Sequence, residues 1–232
     1  APTVYSVETP LIAGELVPEN NARSVLVQPP ARARRVLLVE GAPAFEHSFL
    51  KRAWASDPGL EIDSVVRKGK NEQGAETFYV QAAQSRSDSL ATGYPSSQEA
   101  LFRYDALVLA NVEGHQFTRA ELEATRRFVG DRGGGLLVLG ARSFLRQGLA
   151  GSMLEELLPL ELSAGAGATV ESETERSDIP AGANVRGVNR LALTPAGEAH
   201  PIMQLAAGAD DSRTRWEAVP PLAAITPLGR PR

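Results

Sequence analysis

The chain has 232 residues, 43% of them hydrophobic and 22% charged, which is enough apolar material for one α/β domain of ordinary size plus a smaller piece. Its formal net charge of −4 excludes a dominant nucleic-acid surface, which needs clustered Lys and Arg, and no apolar run approaches the ~18 residues of a membrane-spanning helix. The absence of cysteine excludes disulfides, thiolate nucleophiles and thiolate-bound zinc.

Residues 1–30 contain three short β-type runs, Thr3 to Val7, Leu11 to Val17 and Ser24 to Gln28, broken by the turn-rich Pro18-Glu19-Asn20-Asn21. Three strands make a poor domain alone, so they read as a partial β-sandwich segment. Residues 31–34 follow as a linker, and the basic cluster Ala31-Arg32-Ala33-Arg34-Arg35 reads as solvated. Residues 35–232 then form one α/β domain, and the chain reads as cut at both ends, with the domain truncated at its C-terminus.

Arg35 to Gly41 is an apolar run without alternation, the pattern of a parallel strand covered on both faces. Pro43 suits the first turn of a helix whose Phe45, Phe49, Leu50, Ala53 and Trp54 recur at helical spacing. Asp57-Pro58-Gly59 ends it, and Leu60 to Val66 alternates as a second strand nearer the sheet edge. Arg67 to Ser97 is a long polar stretch that reads as a mobile insertion. A short helix over Ser97 to Tyr104 leads into a third strand, Asp105 to Asn111.

The next helix is the best specified by local rules. Thr118 and Glu121 have capping-box spacing, Phe117 and Leu122 suit a hydrophobic staple, and Leu122, Thr125, Phe128 and Val129 form a buried face. Gly130 and Gly133 bracket its end, and Leu136 to Leu139 gives a fourth strand of buried-type residues. Gly133-Gly134-Gly135 precedes a strand, whereas phosphate loops follow one, so it reads as a helix-to-strand turn. Met153 to Leu158 is a helical piece stopped by Pro159. Beyond it, Leu160 to Ser163, Ala168 to Ser172 and Val185 to Thr194 read as antiparallel additions, His200 to Leu205 as a helix start, and Trp216 to Arg232 as a proline-rich stretch without a helix.

Ligands of open parallel sheets bind beyond the carboxyl ends of the strands. That rule places Glu40 and Gly41, Glu113 and His115, and Gly140, Ala141 and Arg142 around one crevice. Arg142 either attracts anions there or pairs with Glu40 or Glu113, and Glu40 has the alternative role of capping the next helix through N–H groups near Pro43 and Ala44. A metal would need several of His47, His115, His200, Glu40, Glu46 and Glu113 to converge. Without close His spacing the set reads as polar crevice lining, with no metal and no cofactor.

Strand-Glu40-Gly41-x-Pro43, the strand led by Tyr104-Asp105, the capped helix and Gly133 to Gly140 together resemble the class I glutamine amidotransferase-like superfamily. The pattern is most similar to the amidotransferase-like domain of bacterial membrane-anchored proteins that also carry a von Willebrand factor A domain. In those proteins a β-sandwich segment with a Glu-Asn-Asn motif commonly precedes the domain, as Glu19-Asn20-Asn21 does here. The resemblance covers roughly residues 16–225. It implies a flavodoxin-like, doubly wound parallel sheet in the order 2-1-3-4, with a nucleophile elbow after the fourth strand.

At that elbow Ala141 or Arg142 stands where the family has cysteine, and neither forms a thioester. Ser143 is the only hydroxyl in the turn. His200-Pro201 is similar to the family's His-Pro-Glu signature, but Ile202 replaces the orienting carboxylate. The resemblance therefore implies a pseudoenzyme that binds a small anionic ligand or a protein partner, contacts the other domains of its own protein, and lies on the extracytoplasmic side. Two alternatives stay open: a cysteine-independent hydrolase or amidotransferase using Ser143 with His200 or a metal, and a structural spacer. No nucleic acid and no direct membrane contact are expected.

Overall fold

The computed structural model describes residues 3–10, 12–15, 18–27, 32–145, 147–162, 185–225, 228 and 230–232. The N-terminal strands β1 (Thr3–Glu8) and β2 (Ala22–Val27) pair antiparallel, with Tyr5 opposite Val25 and Val7 opposite Arg23, and every residue of both is exposed. The strand expected at Leu11 to Val17 does not form over residues 12–15. These residues make a turn in which the Glu15 N–H donates to the Ile12 carbonyl at 3.1 Å, and the Glu15 carboxylate accepts from Asn21 Nδ2 at 2.7 Å. With its backbone bonded inside the turn, the run offers no ladder to a neighbouring strand.

Next come β3 (Arg34–Glu40), α1 (Phe45–Trp54), β4 (Leu60–Lys70), β5 (Glu76–Gln81), α2 (Gln84–Ser87), α3 (Gln98–Leu101), β6 (Ala106–Ala110), α4 (Arg119–Gly130), β7 (Gly135–Leu139) and α5 (Ala141–Phe144). They build a mixed five-stranded sheet in the order β5-β4-β3-β6-β7, in which β4, β3, β6 and β7 are parallel and β5 is antiparallel to β4. Strand side chains alternate between faces, which divides the apolar run of β3. Leu37 and Val39 enter one core with Leu107, Leu109, Leu101 of α3 and Phe128 of α4, while Val36 and Leu38 meet Val108, Ala110 and the Leu50 and Trp54 side chains of α1. Fully buried leucines such as Leu37, Leu38, Leu107 and Leu109 each contribute roughly 1.5–3 kcal/mol by leaving water. The fourth strand is less covered than its composition suggests, because β7 ends the hydrogen-bonded order and leaves Leu137 41% exposed.

Residues 67–97 are not a mobile polar insertion. β4 continues to Lys70 and turns back as β5, because the Asn71 side-chain carbonyl accepts from the Gln73 and Ala75 N–H groups at 3.0 and 2.9 Å and holds the turn. The segment is then pinned from within. Arg86, on α2, reaches back to buried Asp63 on β4, which also accepts from the Tyr104 hydroxyl at 2.8 Å and the Ala83 N–H at 3.2 Å. Leu90 and Tyr94 close over the same core.

Two arginines of the basic cluster, Arg32 exposed and Arg35 half-buried, form ion pairs. Arg32 forks onto Asp105 through two 2.8 Å bonds and Arg35 Nε reaches Glu61 at 3.0 Å, so the pair-forming residues tie the starts of β3, β4 and β6 together. Helix α4 carries its capping box, with Glu121 N–H donating to Thr118 Oγ1 at 3.3 Å and the Thr118 N–H donating to Glu121 at 2.7 Å.

Met153 to Leu158 forms only a 3-10 turn at Glu155–Leu157, buried through Leu154 and Leu158, because the following Pro159 leaves no room to extend it. The remaining elements are β8 (Leu160–Glu161), β9 (Val185–Asn189), α6 (Pro195–Ala199), α7 (Ala209–Glu217), β10 (Leu222–Ile225) and β11 (Arg230–Pro231), with β9–β10 and β8–β11 paired antiparallel. Trp216 belongs to helix α7, not to an unstructured tail, and its indole N–H donates to the Met203 carbonyl at 2.7 Å. The run expected at Ala168 to Ser172 lies outside the described residues. Among those residues, no helix is long and apolar enough to cross a membrane.

Candidate functional site

The strand ends converge through backbone contacts. The Gly41 N–H donates to the Ala110 carbonyl at 2.9 Å, and Gln116 bridges the two turns by donating from Nε2 to the Gly41 carbonyl at 3.2 Å while accepting the Glu113 N–H at 3.1 Å. Gly41 is packed so closely on Asn111 and Val112 that a Cβ would overlap their backbone. Asn111 continues the ladder by donating its N–H to the Leu139 carbonyl at 3.0 Å, then turns at φ 49°, a conformation its short polar side chain tolerates. Its carboxamide is buried against Gly140, and Asn111 Nδ2 has no hydrogen-bond partner among the described residues.

The elbow after β7 is closed chemically. Ser143 is fully buried; its hydroxyl donates to the Leu139 carbonyl at 2.8 Å and accepts the Val112 N–H at 3.1 Å. Both hydrogen-bonding directions of the hydroxyl are thus spent on backbone. His200 is exposed and its Nδ1 accepts the Ile202 N–H at 3.2 Å, capping a 3-10 turn at Pro201–Met203. Arg142 points its guanidinium to Glu113 at 3.3 Å, and His115 Nδ1 lies 3.4 Å from the same carboxylate. Among the described residues no three His, Asp or Glu side chains are placed to hold a metal ion.

A cavity of about 310 Å3 lies by the ends of β3 and β4. Glu40, Gly41 and His115 line it; Glu113, Gly140, Ala141 and Arg142 do not. Its apolar surface comes from Val65, Phe78, Tyr94 and Phe117, with the Tyr94 and Phe117 rings edge to face at 5.3 Å. The Tyr94 hydroxyl turns away to Thr125 Oγ1 at 2.6 Å. Arg67 also lines the cavity but forks onto Glu76 at 2.8 and 2.5 Å, and exposed Lys70 stands near the same turn. A second, more open depression of about 350 Å3 lies between α3 and α4, where Ser97 and Thr118 are occupied as helix caps.

Glu40, at the end of β3, is 2% exposed, and its side chain lies on the α1 face of the sheet with Val36, Leu38 and Ala110. The Ala44 N–H donates to its Oε1 at 2.9 Å, the only donor to this carboxylate among the described residues. Burial pushes its carboxyl up to about 7, with Glu46 adding repulsion and the Ala44 bond opposing. His47, one turn into α1, is pulled below the ordinary imidazole value by burial and by Lys51.

Compared with protein-family models, curated proteins and solved structures, the chain matches none of them significantly.

Of the crevice residues read from the sequence, the structure therefore divides two groups. Glu40, Gly41 and His115 border a cavity, while Gly140, Ala141 and Arg142 form a neighbouring closed turn. Arg67, Phe78 and Tyr94 were missed because they lie in the stretch read as an insertion. The visible signal was Asn71 with Gly74 between two alternating runs, a hairpin pattern.

Proposed function

We propose that this chain is a non-catalytic, amidotransferase-like α/β domain with a flavodoxin-like sheet that binds a small ligand within a larger anchored protein. The observation that carries the reading is Ser143: the one hydroxyl at the elbow is buried and tied to Leu139 and Val112, while a separate cavity opens beside Glu40. The strand order β4-β3-β6-β7 supports the flavodoxin-like assignment. Anchoring, the von Willebrand factor A association and an extracytoplasmic position are proposed from the sequence resemblance alone.

A role in contacts with other domains is supported by the hairpin β1–β2, whose Tyr5, Val7, Val25 and Val27 share one exposed face. The test of the non-catalytic reading is a glutaminase assay on the purified 232-residue chain. No turnover above buffer is expected for the wild type, Ser143→Ala or His200→Ala. Turnover by the wild type that disappears in Ser143→Ala or His200→Ala overturns it.

A further inference from the structure

We propose that the cavity by the ends of β3 and β4 takes a small uncharged bicyclic aromatic molecule, and that the Arg67–Glu76 ion pair makes the site refuse anions. The proposal rests on the reading of this chain as a binding domain and gives that domain a ligand class.

Strand register decides which side chains face the cavity. Val39 and Val65 lie on the sheet face that carries Phe78, Tyr94 and Phe117 in one core, and these residues make the apolar wall. Arg67 stands directly opposite Phe78 in the β4–β5 ladder and Lys70 opposite Glu76, so they share that face. The Glu40 side chain is on the other face with Val36 and Leu38, so β3 brings the cavity no carboxylate.

The polar side chains of the lining are engaged or hydrated. The Arg67 guanidinium forks onto the Glu76 carboxylate through Nε and Nη2. Glu121 accepts the Thr118 N–H at 2.7 Å and the Thr118 hydroxyl at 2.9 Å, and Gln116 spans the Gly41 carbonyl and the Glu113 N–H. The Tyr94 hydroxyl is turned to Thr125, and exposed His115 lies against Glu113. Lys70 and Thr92 are exposed and stay in water. Among the described residues, the buried side-chain atoms that lack a hydrogen-bond partner are His47 Nε2 and Asn111 Nδ2, and neither residue lines the cavity.

That satisfaction selects a neutral ligand. A charged head entering the cavity gives up its water and meets no unpaired counter-ion, whereas an aromatic body loses only unfavourable contact with water. The Tyr94 and Phe117 rings, edge to face at 5.3 Å, offer a face and an edge to a flat guest. A cavity of ~150 Å3 takes benzene, so one of about 310 Å3 has room for a second fused ring. Glu76 is what keeps anions out. It neutralises the guanidinium beside Phe78, and its removal turns Arg67 into a carboxylate receptor.

The experiment is calorimetric titration of the full chain near neutral pH with probes of one shape: naphthylmethanol, naphthoate and naphthylmethylammonium. The alcohol is expected to saturate, and each ion to bind roughly tenfold more weakly or worse. Benzyl alcohol, a ring smaller, is expected to bind several-fold more weakly than naphthylmethanol. Glu76→Gln is expected to raise naphthoate affinity roughly tenfold without raising that of naphthylmethylammonium. A cooperative urea transition checks that this variant is folded; the order of the probes on the wild type needs no variant. On titration of the wild type with naphthylmethanol, the Gly93 and Phe117 amide resonances shift. Preference of the wild type for either ion, naphthoate binding unmoved by a folded Glu76→Gln, equal affinity for benzyl alcohol, or amide shifts confined to residues away from the cavity overturns the proposal but leaves the binding-domain reading standing. Saturation by no probe also overturns it. Serine-dependent glutamine turnover, by contrast, strikes the non-catalytic reading and not the ligand class of the cavity.

Discussion

The Val112 backbone N–H donates to Ser143 Oγ at 3.1 Å, which fastens the turn after β6 to the turn after β7. The same hydroxyl donates to Leu139 at 2.8 Å, so one side chain links the end of β7 to the neighbouring strand's exit. Ser143→Ala leaves the buried Val112 N–H without its acceptor. A loss of about 1–3 kcal/mol is expected in urea unfolding, the cost of stranding a buried donor. The same variant leaves the glutaminase background unchanged, which separates a staple from a nucleophile.

Glu40 makes stability fall as pH rises through neutrality. Its folded value of about 7 lies above the ~4.3 of an unfolded chain, so the folded state binds the extra proton between those limits. The contribution is complete below pH ~4.3 and is lost as pH climbs through 7. Thermal unfolding at pH 5 and pH 8 should show this slope in the wild type. Glu40→Gln flattens it. An unchanged slope in that variant assigns the effect elsewhere.

The Asp63–Arg86 pair acts on the acid side with the opposite sign. Burial alone would raise the Asp63 carboxyl, but the Arg86 guanidinium, the Tyr104 hydroxyl and the Ala83 N–H together hold it below the ordinary carboxylate value. Its contribution is therefore present above pH ~3.9 and disappears as pH falls through the lowered value. Arg86→Met strands a buried carboxylate and should cost about 3–5 kcal/mol in urea unfolding at pH 6. Asp63→Asn/Arg86→Met should recover part of that loss and abolish the acid dependence.

These residues also show what the sequence could and could not disclose. β3, β6 and α4 were legible because their signals are local: an apolar run, a second apolar run, and Thr118 three residues before Glu121. The segment over 67–97 was not. Its order depends on Arg86 meeting Asp63 across 23 residues of chain, and on Leu90 and Tyr94 reaching a distant core. No periodicity reveals such pairings. In the site, Glu40 and Gly41 could be placed from their position after a strand, whereas Phe78 and Tyr94 came from the misread segment. Ser143 was singled out as a hydroxyl after a strand, which reads alike as nucleophile or staple; its full burial was not legible in the sequence.

Gly140 and Asn111 supply a test of how tightly the elbow is built. Gly140 sits at φ 78°, and a Cβ there runs into the Asn111 carboxamide. Gly140→Ala thus carries two costs: about 1–3 kcal/mol for holding a residue with a Cβ at φ 78° and ψ 142°, a glycine-only region, and the displacement of a buried side chain. Asn111→Gly alone removes an amide whose Nδ2 lacks a partner and relieves a positive φ, so it should be neutral or stabilising. In the double variant the collision is absent and only the backbone cost of Gly140→Ala remains. A double-mutant cycle by urea unfolding should therefore return a favourable coupling of about 0.5–3 kcal/mol. Strict additivity would mean that the two turns yield independently, and the close contact between β6 and β7 exits would then carry no energetic weight.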